Sequence, residues 1–226
     1  MKQNKKMRLS AIAAVLPIIS ASVFAVLSVC SCQNQPQGQG QDQDQPMTIK
    51  QVLEQRHSIR TYAEDKAVSE ETVMDILWAA NGVTREDGRR TAPSAINAQD
   101  IDLYVCTAEG VSKYIPQPAS LKKIIDKDIR PLFQAQNKFV MKAPLTILLI
   151  SDQNKFGEPD AKGRYMRFGL IDAGIVSQNI SLYCTAIGLG TVCCAPPMEA
   201  EEIQAALGLG EGHIPVLYHP VGHPVE

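Results

Sequence analysis

The stretch from Met166 to Ile187, MRFGLIDAGIVSQNISLYCTAI, sets the tightest limit on what this chain can fold into. It contains no proline, and its only charges are Arg167 and Asp172. As a helix it would run about 33 Å at 1.5 Å per residue. Its apolar residues fall on nearly every side, so it needs cover on more than one face, as a core or interface helix does. Asp172, Gln178 and Asn179 are then expected among apolar neighbours.

Other segments supply that cover. PLTILLIS, at Pro144–Ser151, is a continuous apolar run of strand length and is expected as a central buried strand. IDLYVCT places Ile101, Leu103 and Val105 on one side of a second strand. GLGTVCCAPP reads as a turn, a short strand and a break, and IPVLYHPVG as the last strand. Thr48 can cap a helix through about Gln55. Ser69 can cap another, with Glu70 and Glu71 in its first turn, an apolar face of Val73, Ile76, Leu77 and Ala80, and a stop at Asn81–Gly82. Leu121–Val140 reads as one or two helices broken by Pro131, and Glu199–Leu207 as a short helix closed by Gly208. The pattern is α+β with a central sheet.

The N-terminus stands apart. MKQNKKMR carries four basic residues and no acid, and an apolar run follows from Leu9 to Val29. That is the layout of a secretory signal; a membrane anchor is the rival, because the run is long enough to span a bilayer. VLSVCSCQNQ is similar to a bacterial lipoprotein cleavage site, with Ser31 before a lipidated Cys32. The segment that follows is rich in Gln, Gly and Pro and lacks apolar residues, so it reads as a tether. The expected organisation is a signal over 1–31, a tether over 32–46 and one folded domain over 47–226. The protein would then be exported and held at a bacterial membrane by lipid alone.

Formal net charge is -2 and no long basic run occurs, which argues against a nucleic-acid partner. Of the six cysteines, Cys106 and Cys184 lie in apolar runs and read as core thiols, while Cys193 and Cys194 are adjacent. No C-x-x-C, G-x-S-x-G or P-loop motif occurs. His219 and His223 have the spacing of a helical metal pair. However, Pro220 and Pro224 make the segment extended, and four residues along a strand separate side chains by about 13 Å. They read as polar strand-end histidines, and no metal is expected.

RHSIRTY raises a different possibility. In an extended chain Arg56, Ser58 and Arg60 leave on one face, about 7 Å apart. Two guanidiniums and a hydroxyl there can grip a phosphate or carboxylate. The alternative is a solvated patch, with the arginines paired to Glu54, Glu64 or Asp65. Asn97 in PSAINAQ offers donor and acceptor groups for a ring edge, and backbone N–H groups near Gly190–Ala195 could reach ring heteroatoms. Together these features suit a cofactor with a phosphate and a heterocycle.

The order RHSIR, APSAINAQ, DAGIVSQNISLYCTAIGLGTV and a late VGHP resembles the FMN-dependent nitroreductase family, from about Val52 to the C-terminus. The resemblance implies an α+β fold whose central mixed or antiparallel sheet is flanked by helices, in an intertwined homodimer with flavins at the interface. It implies that Arg56, His57, Ser58 and Arg60 bind the phosphate, ribityl chain and pyrimidine edge of FMN. Pro93, Ser94 and Asn97 would reach the flavin of the other subunit. Asp172 would face the ring from the long helix, or else pair with an arginine at the interface. Cys193, Cys194 and Ala195 would lie against the isoalloxazine, with a backbone N–H meeting N5; packing is the other role open to the cysteines. Catalysis would then be flavin N5 chemistry with no dedicated catalytic side chain: hydride in from a small donor, electrons out to a small organic acceptor, in ping-pong order.

Three departures from the family pattern stand out. The basic residue that relatives place after VGHP on the phosphate is expected to be missing or replaced. Pro196 has no N–H, which leaves Ala195 or Cys194 as the N5 donor. An exported protein does not meet cytosolic NAD(P)H. A non-catalytic flavin- or ligand-binding lipoprotein, or an adhesion lipoprotein without a chromophore, are the competing readings.

Overall fold

A computed structural model describes residues 46–134, 137–157, 163–196 and 200–225. The expected signal, the Cys32 lipidation site and all of the tether except Pro46 lie outside these residues.

The first described element is α1 (Ile49–Gln55), where Thr48 and Gln51 form a reciprocal capping box. Ser69 caps α2 (Glu70–Asn81), whose buried side is Val73, Ile76, Leu77 and Ala80, as the spacing predicts. Three strands follow as a meander: β1 (Ile101–Thr107), β2 (Gly110–Pro116) and β3 (Ala119–Ile125). Next come the one-turn α3 (Pro131–Gln134), the central β4 (Leu145–Asp152) and the long α4 (Arg164–Ala186). The chain ends with β5 (Gly190–Thr191), α5 (Ala200–Leu207) and β6 (His213–Gly222).

The six strands form one sheet in the order β3-β2-β1-β4-β6-β5. Every neighbouring pair is antiparallel, which narrows the mixed-or-antiparallel expectation. Both faces are covered. Ile101, Leu103 and Val105 of β1 join Leu145, Ile147 and Leu149 of β4 in a core under α2 and α4. Tyr104 and Cys106 join Leu148, Ile150 and Tyr218 in a second core with Ile129, Phe133, Ile203 and Leu207. Because both faces are buried, β4 reads as a continuous apolar run rather than an alternating one.

The helical reading of Leu121–Val140 fails. Its first part is β3, an edge strand with Lys122 and Lys123 exposed, and lysines at such positions discourage strand addition. The tertiary pairing Tyr114↔Leu121 overrides a local pattern that suits a helix equally well. Pro131 opens a helix instead of breaking one, since the first helical position needs no N–H donor.

Helix α4 is the axis of the fold. Its buried residues recur every three to four positions, through Tyr165, Gly169, Asp172, Ala173, Val176, Ser177, Ile180, Ser181 and Cys184. Gly169 is required: a Cβ there would lie 2.3 Å from Ser151 Oγ on β4. Gln178 is exposed, contrary to expectation, and Asn179 is half-buried, with Nδ2 donating to Ala80 O at 3.3 Å. The helix also leaves Leu170 and Ile171 open to solvent, at 52% and 60% exposure.

His219 corrects the strand-end reading. It lies fully buried between α4 and β5, with Nε2 2.8 Å from Ser177 Oγ and Nδ1 3.1 Å from Thr191 Oγ1. Burial pulls its pKa down to about 3, so it is neutral and serves as a polar pin between helix and sheet.

Candidate functional site

The segment after α1 runs extended along the β5 edge of the sheet. Ile59 N–H donates to Thr191 O at 3.0 Å, and the Tyr62 hydroxyl donates to Ile59 O at 2.8 Å. Tyr62 also bridges to Pro224, and Ala63 N–H reaches His223 O. Ile59 packs so closely on β5 that a Cβ at Gly190 would stand 2.6 Å from Ile59 Cγ2. Tyr62 is buried and Ile59 half-buried, while His57, Ser58 and Arg60 are exposed and Arg56 is half-buried. The His57 ring nitrogen Nδ1 lies 2.7 Å from Gln55 O, which fixes that ring over a cleft of about 420 Å³ beside Thr185, Gly188 and Leu189.

The carboxylates proposed as partners for these arginines are engaged elsewhere or apart. Glu54 pairs with Lys50 and Glu64 with Lys142. Among the described residues neither Arg56 nor Arg60 makes an ion pair. Their positive charge is therefore not paired among the described residues.

Beyond Thr191 no described residue covers the edge with a backbone hydrogen bond. Cys194 pairs with Tyr218 through both of its backbone groups, at 2.9 and 2.8 Å. Neighbouring residues in an extended chain point their N–H groups in opposite directions. Those of Cys193 and Ala195 accordingly face away from β6 and have no partner among the described residues. Cys194 N–H is thus spent inside the sheet, and of the two donors expected to remain beside Pro196, Ala195 is the available one. The Arg60 charge is close enough to act on Cys194: burial, the larger effect, pushes the Cys194 thiol up, and Arg60 works against it. RHSIR and Cys193–Ala195 are in this way brought together.

Pro93, Ser94 and Asn97 lie elsewhere on this chain, on a turn held in an unusual conformation. Ile96, Asn97 and Gln99 have φ of 48°, 58° and 51°, in the left-handed region that side chains disfavour. The turn is held from three sides. Ser94 Oγ accepts from Gln99 N–H at 2.8 Å, Asp172 Oδ2 accepts from Ala95 N–H at 2.8 Å, and Gln99 Nε2 donates to Gly88 O at 3.0 Å. Pro93 and Asn97 remain exposed.

Asp172 is buried, with 3% exposure, and its contact is this turn rather than an arginine. Beside it Asp100 accepts from Ser151 Oγ at 2.6 Å through Oδ2, while Asp100 Oδ1 has no conventional donor. Burial first, then the neighbouring Asp172 carboxylate, pushes Asp100 up to about 6. Sequence reasoning missed this pair, since Asp100 and Asp172 are far apart along the chain. Nor did it flag the three arginines, Arg85, Arg89 and Arg90, that line a cleft of about 250 Å³ with Pro93, Ser94 and Asn97.

Comparison with known proteins matches residues 53–223 to the family described as "Nitroreductase family". A nitroreductase-like protein of Methanocaldococcus jannaschii is 31% identical over 191 residues, covering 79% of this chain and 92% of that protein. Among solved structures, a nitroreductase-like protein from Ralstonia eutropha aligns with a TM-score of 0.73 at 28% identity, covering 82% of this chain and 87% of that one. Another from Desulfovibrio desulfuricans, solved in complex with FMN, aligns with a TM-score of 0.59 at 25% identity, covering 80% and 89%.

Proposed function

The chain belongs to the nitroreductase family, and from that premise we propose that it is an FMN-dependent oxidoreductase acting on a small organic acceptor. The observation that carries the proposal is a pair of arginines, Arg56 and Arg60, without an ion pair among the described residues, on the segment that Ile59 N–H ties to Thr191 O, followed in the chain by the unpartnered peptide N–H groups of Cys193 and Ala195. An anionic phosphate needs the first, and a heteroatom-bearing ring edge needs the second.

FMN held by these residues would supply the hydride- and electron-transfer chemistry between a small donor and a small acceptor. The protein's part is to bind, orient and polarise. Arg56 and Arg60 hold the phosphate. His57 and Ser58 take the ribityl chain and the pyrimidine edge. The Ala195 N–H would be the backbone donor offered to the ring, since Cys194 N–H is already committed to Tyr218. Cys193 packs against the ring from its exposed position.

Pro93, Ser94 and Asn97 complete the site of a second copy in an intertwined homodimer. Support for that assembly is an apolar face built from α1, α2 and α4. Ile49 is 77% exposed and Trp78 49%, around a cleft of about 400 Å³ that reaches Leu182 and Tyr183. An apolar patch on three adjoining elements is the mark of an interface. Asp172 acts from beneath, by holding the turn that presents Asn97.

The same proposal reads residues 1–31 as an export leader and Cys32 as a lipidation site, so that the electron donor would be one available outside the cytoplasm. The test is a visible spectrum of the purified protein after incubation with FMN and removal of free flavin. Wild type keeps the flavin bands, and Arg56→Ala combined with Arg60→Ala loses them. A colourless wild type that also fails to bind FMN by titration ends the proposal.

A further inference from the structure

The loop between α2 and the 94–99 turn has no role in the reading above, yet it is built with care. Val83 and Arg90 form an antiparallel bridge, and Thr84 N–H donates to Arg89 O at 2.9 Å. Gly88 N–H closes the tip onto Arg85 O at 3.0 Å, and Trp78 Nε1 ties the base to Val83 O at 3.3 Å. The result is a hairpin with arginines at three of its eight positions, clamped to the 94–99 turn by Gln99.

Its arginines are only partly satisfied. Arg89 is paired to Asp87. Arg90 gives Nε to Gln99 Oε1 at 3.0 Å, and its terminal nitrogens have no partner among the described residues. Arg85 has neither an ion pair nor a side-chain hydrogen bond there. A guanidinium carries five N–H donors, so most of this capacity is unspent. Burial lowers the pKa of Arg90 from its ordinary value, a cost that a bound anion would offset. Among the described residues no carboxylate lines the cleft, although the Asp102 charge acts on Arg90 and opposes the effect of burial. Its volume, about 250 Å³, suits one small anionic group and excludes a nucleic-acid strand.

We propose that the cleft between Arg85, Arg89, Arg90 and Asn97 is a subsite for a carboxylate or phosphate carried by the small molecule that exchanges electrons at this site. The proposal rests on the flavin reading, because Pro93, Ser94 and Asn97 form the cleft's other wall. Anchoring the charged end of a substrate here fixes the distance and angle of its reacting end without any contact at that end. It would make the protein selective for anionic acceptors or donors over neutral ones of the same shape.

The test is calorimetric titration of the FMN-loaded protein with 4-nitrobenzoate and with neutral 4-nitrobenzamide, at low and high salt. Wild type binds the anion about tenfold or more tightly than the amide, as one charge-assisted contact provides. The preference shrinks with salt and falls to within about twofold in Arg85→Gln combined with Arg89→Gln, whereas Lys50→Gln keeps it. FMN affinity is unchanged in the double variant. Equal binding of the two probes by wild type overturns the proposal. So does a preference that survives the arginine substitutions, or a parallel loss of FMN, which would make the cleft the cofactor's own phosphate site. If the protein holds no FMN, the flavin reading fails separately. The same titration on the flavin-free protein then decides the anion subsite, an absent preference overturning it and a preference lost in the double variant supporting it.

Discussion

The Asp172 carboxylate, on the buried side of α4, accepts a hydrogen bond from the Ala95 N–H at 2.8 Å. One contact thus couples the longest helix to the only turn among the described residues where three non-glycine residues have positive φ. Such residues cost about 1–3 kcal/mol each and persist only where their surroundings over-determine them. Asp172→Ala strands the N–H and is expected to cost about 1–3 kcal/mol in urea unfolding. It should also weaken FMN binding, through the turn that carries Asn97. Asp172→Asn keeps an acceptor oxygen and should lose less of both. Equal losses in the two variants would mean that charge, not the acceptor, holds the turn.

Stability should depend on pH through two buried groups with opposite signs. His219 has a folded pKa near 3 against 6.5 unfolded. The unfolded chain therefore binds this proton first, and stability is lost as pH falls below 6.5, by about 1.4 kcal/mol per unit. Asp100 has a folded pKa near 6 against 3.8 unfolded. Here the folded chain binds the proton first, and stability is lost as pH rises from 3.8 through 6. Asp100→Asn should therefore gain about 1–3 kcal/mol above pH 6 and steepen the loss on the acid side. Denaturant melts between pH 4 and 8 read both, and an unchanged pH profile in Asp100→Asn would refute the raised pKa of Asp100.

Gly190 and Ile59 should behave as a coupled pair. Gly190→Ala puts a methyl 2.6 Å from Ile59 Cγ2, and overpacking of this kind costs about 1–3 kcal/mol. The strain should lift the 56–62 segment from β5 and loosen FMN. Adding Ile59→Ala makes room, so the double variant should recover part of the loss. Strict additivity in the cycle would place the strain elsewhere.

The thiols should separate into two classes. Cys193 is exposed, whereas Cys106 and Cys184 are fully buried, with burial pushing Cys184 up to about 12 and Cys106 further still. Iodoacetamide should label Cys193 first and the buried pair only after unfolding, and bound FMN should protect Cys193. Early labelling of Cys184 would contradict the packing of α4.

Much of this was legible in the chain because the signals were local. The caps at Thr48 and Ser69, the apolar run at β4 and the length of α4 each follow from a few adjacent residues. Cys106 and Cys184 likewise read as core thiols, and both are buried. β3 was not legible, because LKKII suits helix and edge strand alike and only its partner β2 decides. His219 looked like a strand end because its two hydrogen-bond partners, Ser177 and Thr191, lie 42 and 28 positions away. The Asp100–Asp172 contact and the arginine cleft escaped for the same reason: each exists only once distant segments have met.

The uncovered stretch beyond β5 also bears on how the protein keeps to itself. A bare sheet edge invites a strand from another molecule, and proteins blunt such edges in several ways. Here Ile59 covers the edge at Thr191, and Pro196 ends it with a residue that cannot donate. What remains between them is a rail two donors long, at Cys193 and Ala195. That is enough to line the rim of a flat heterocycle and too short to seed a β-ladder. The same brevity therefore protects the folded chain from self-association through this edge.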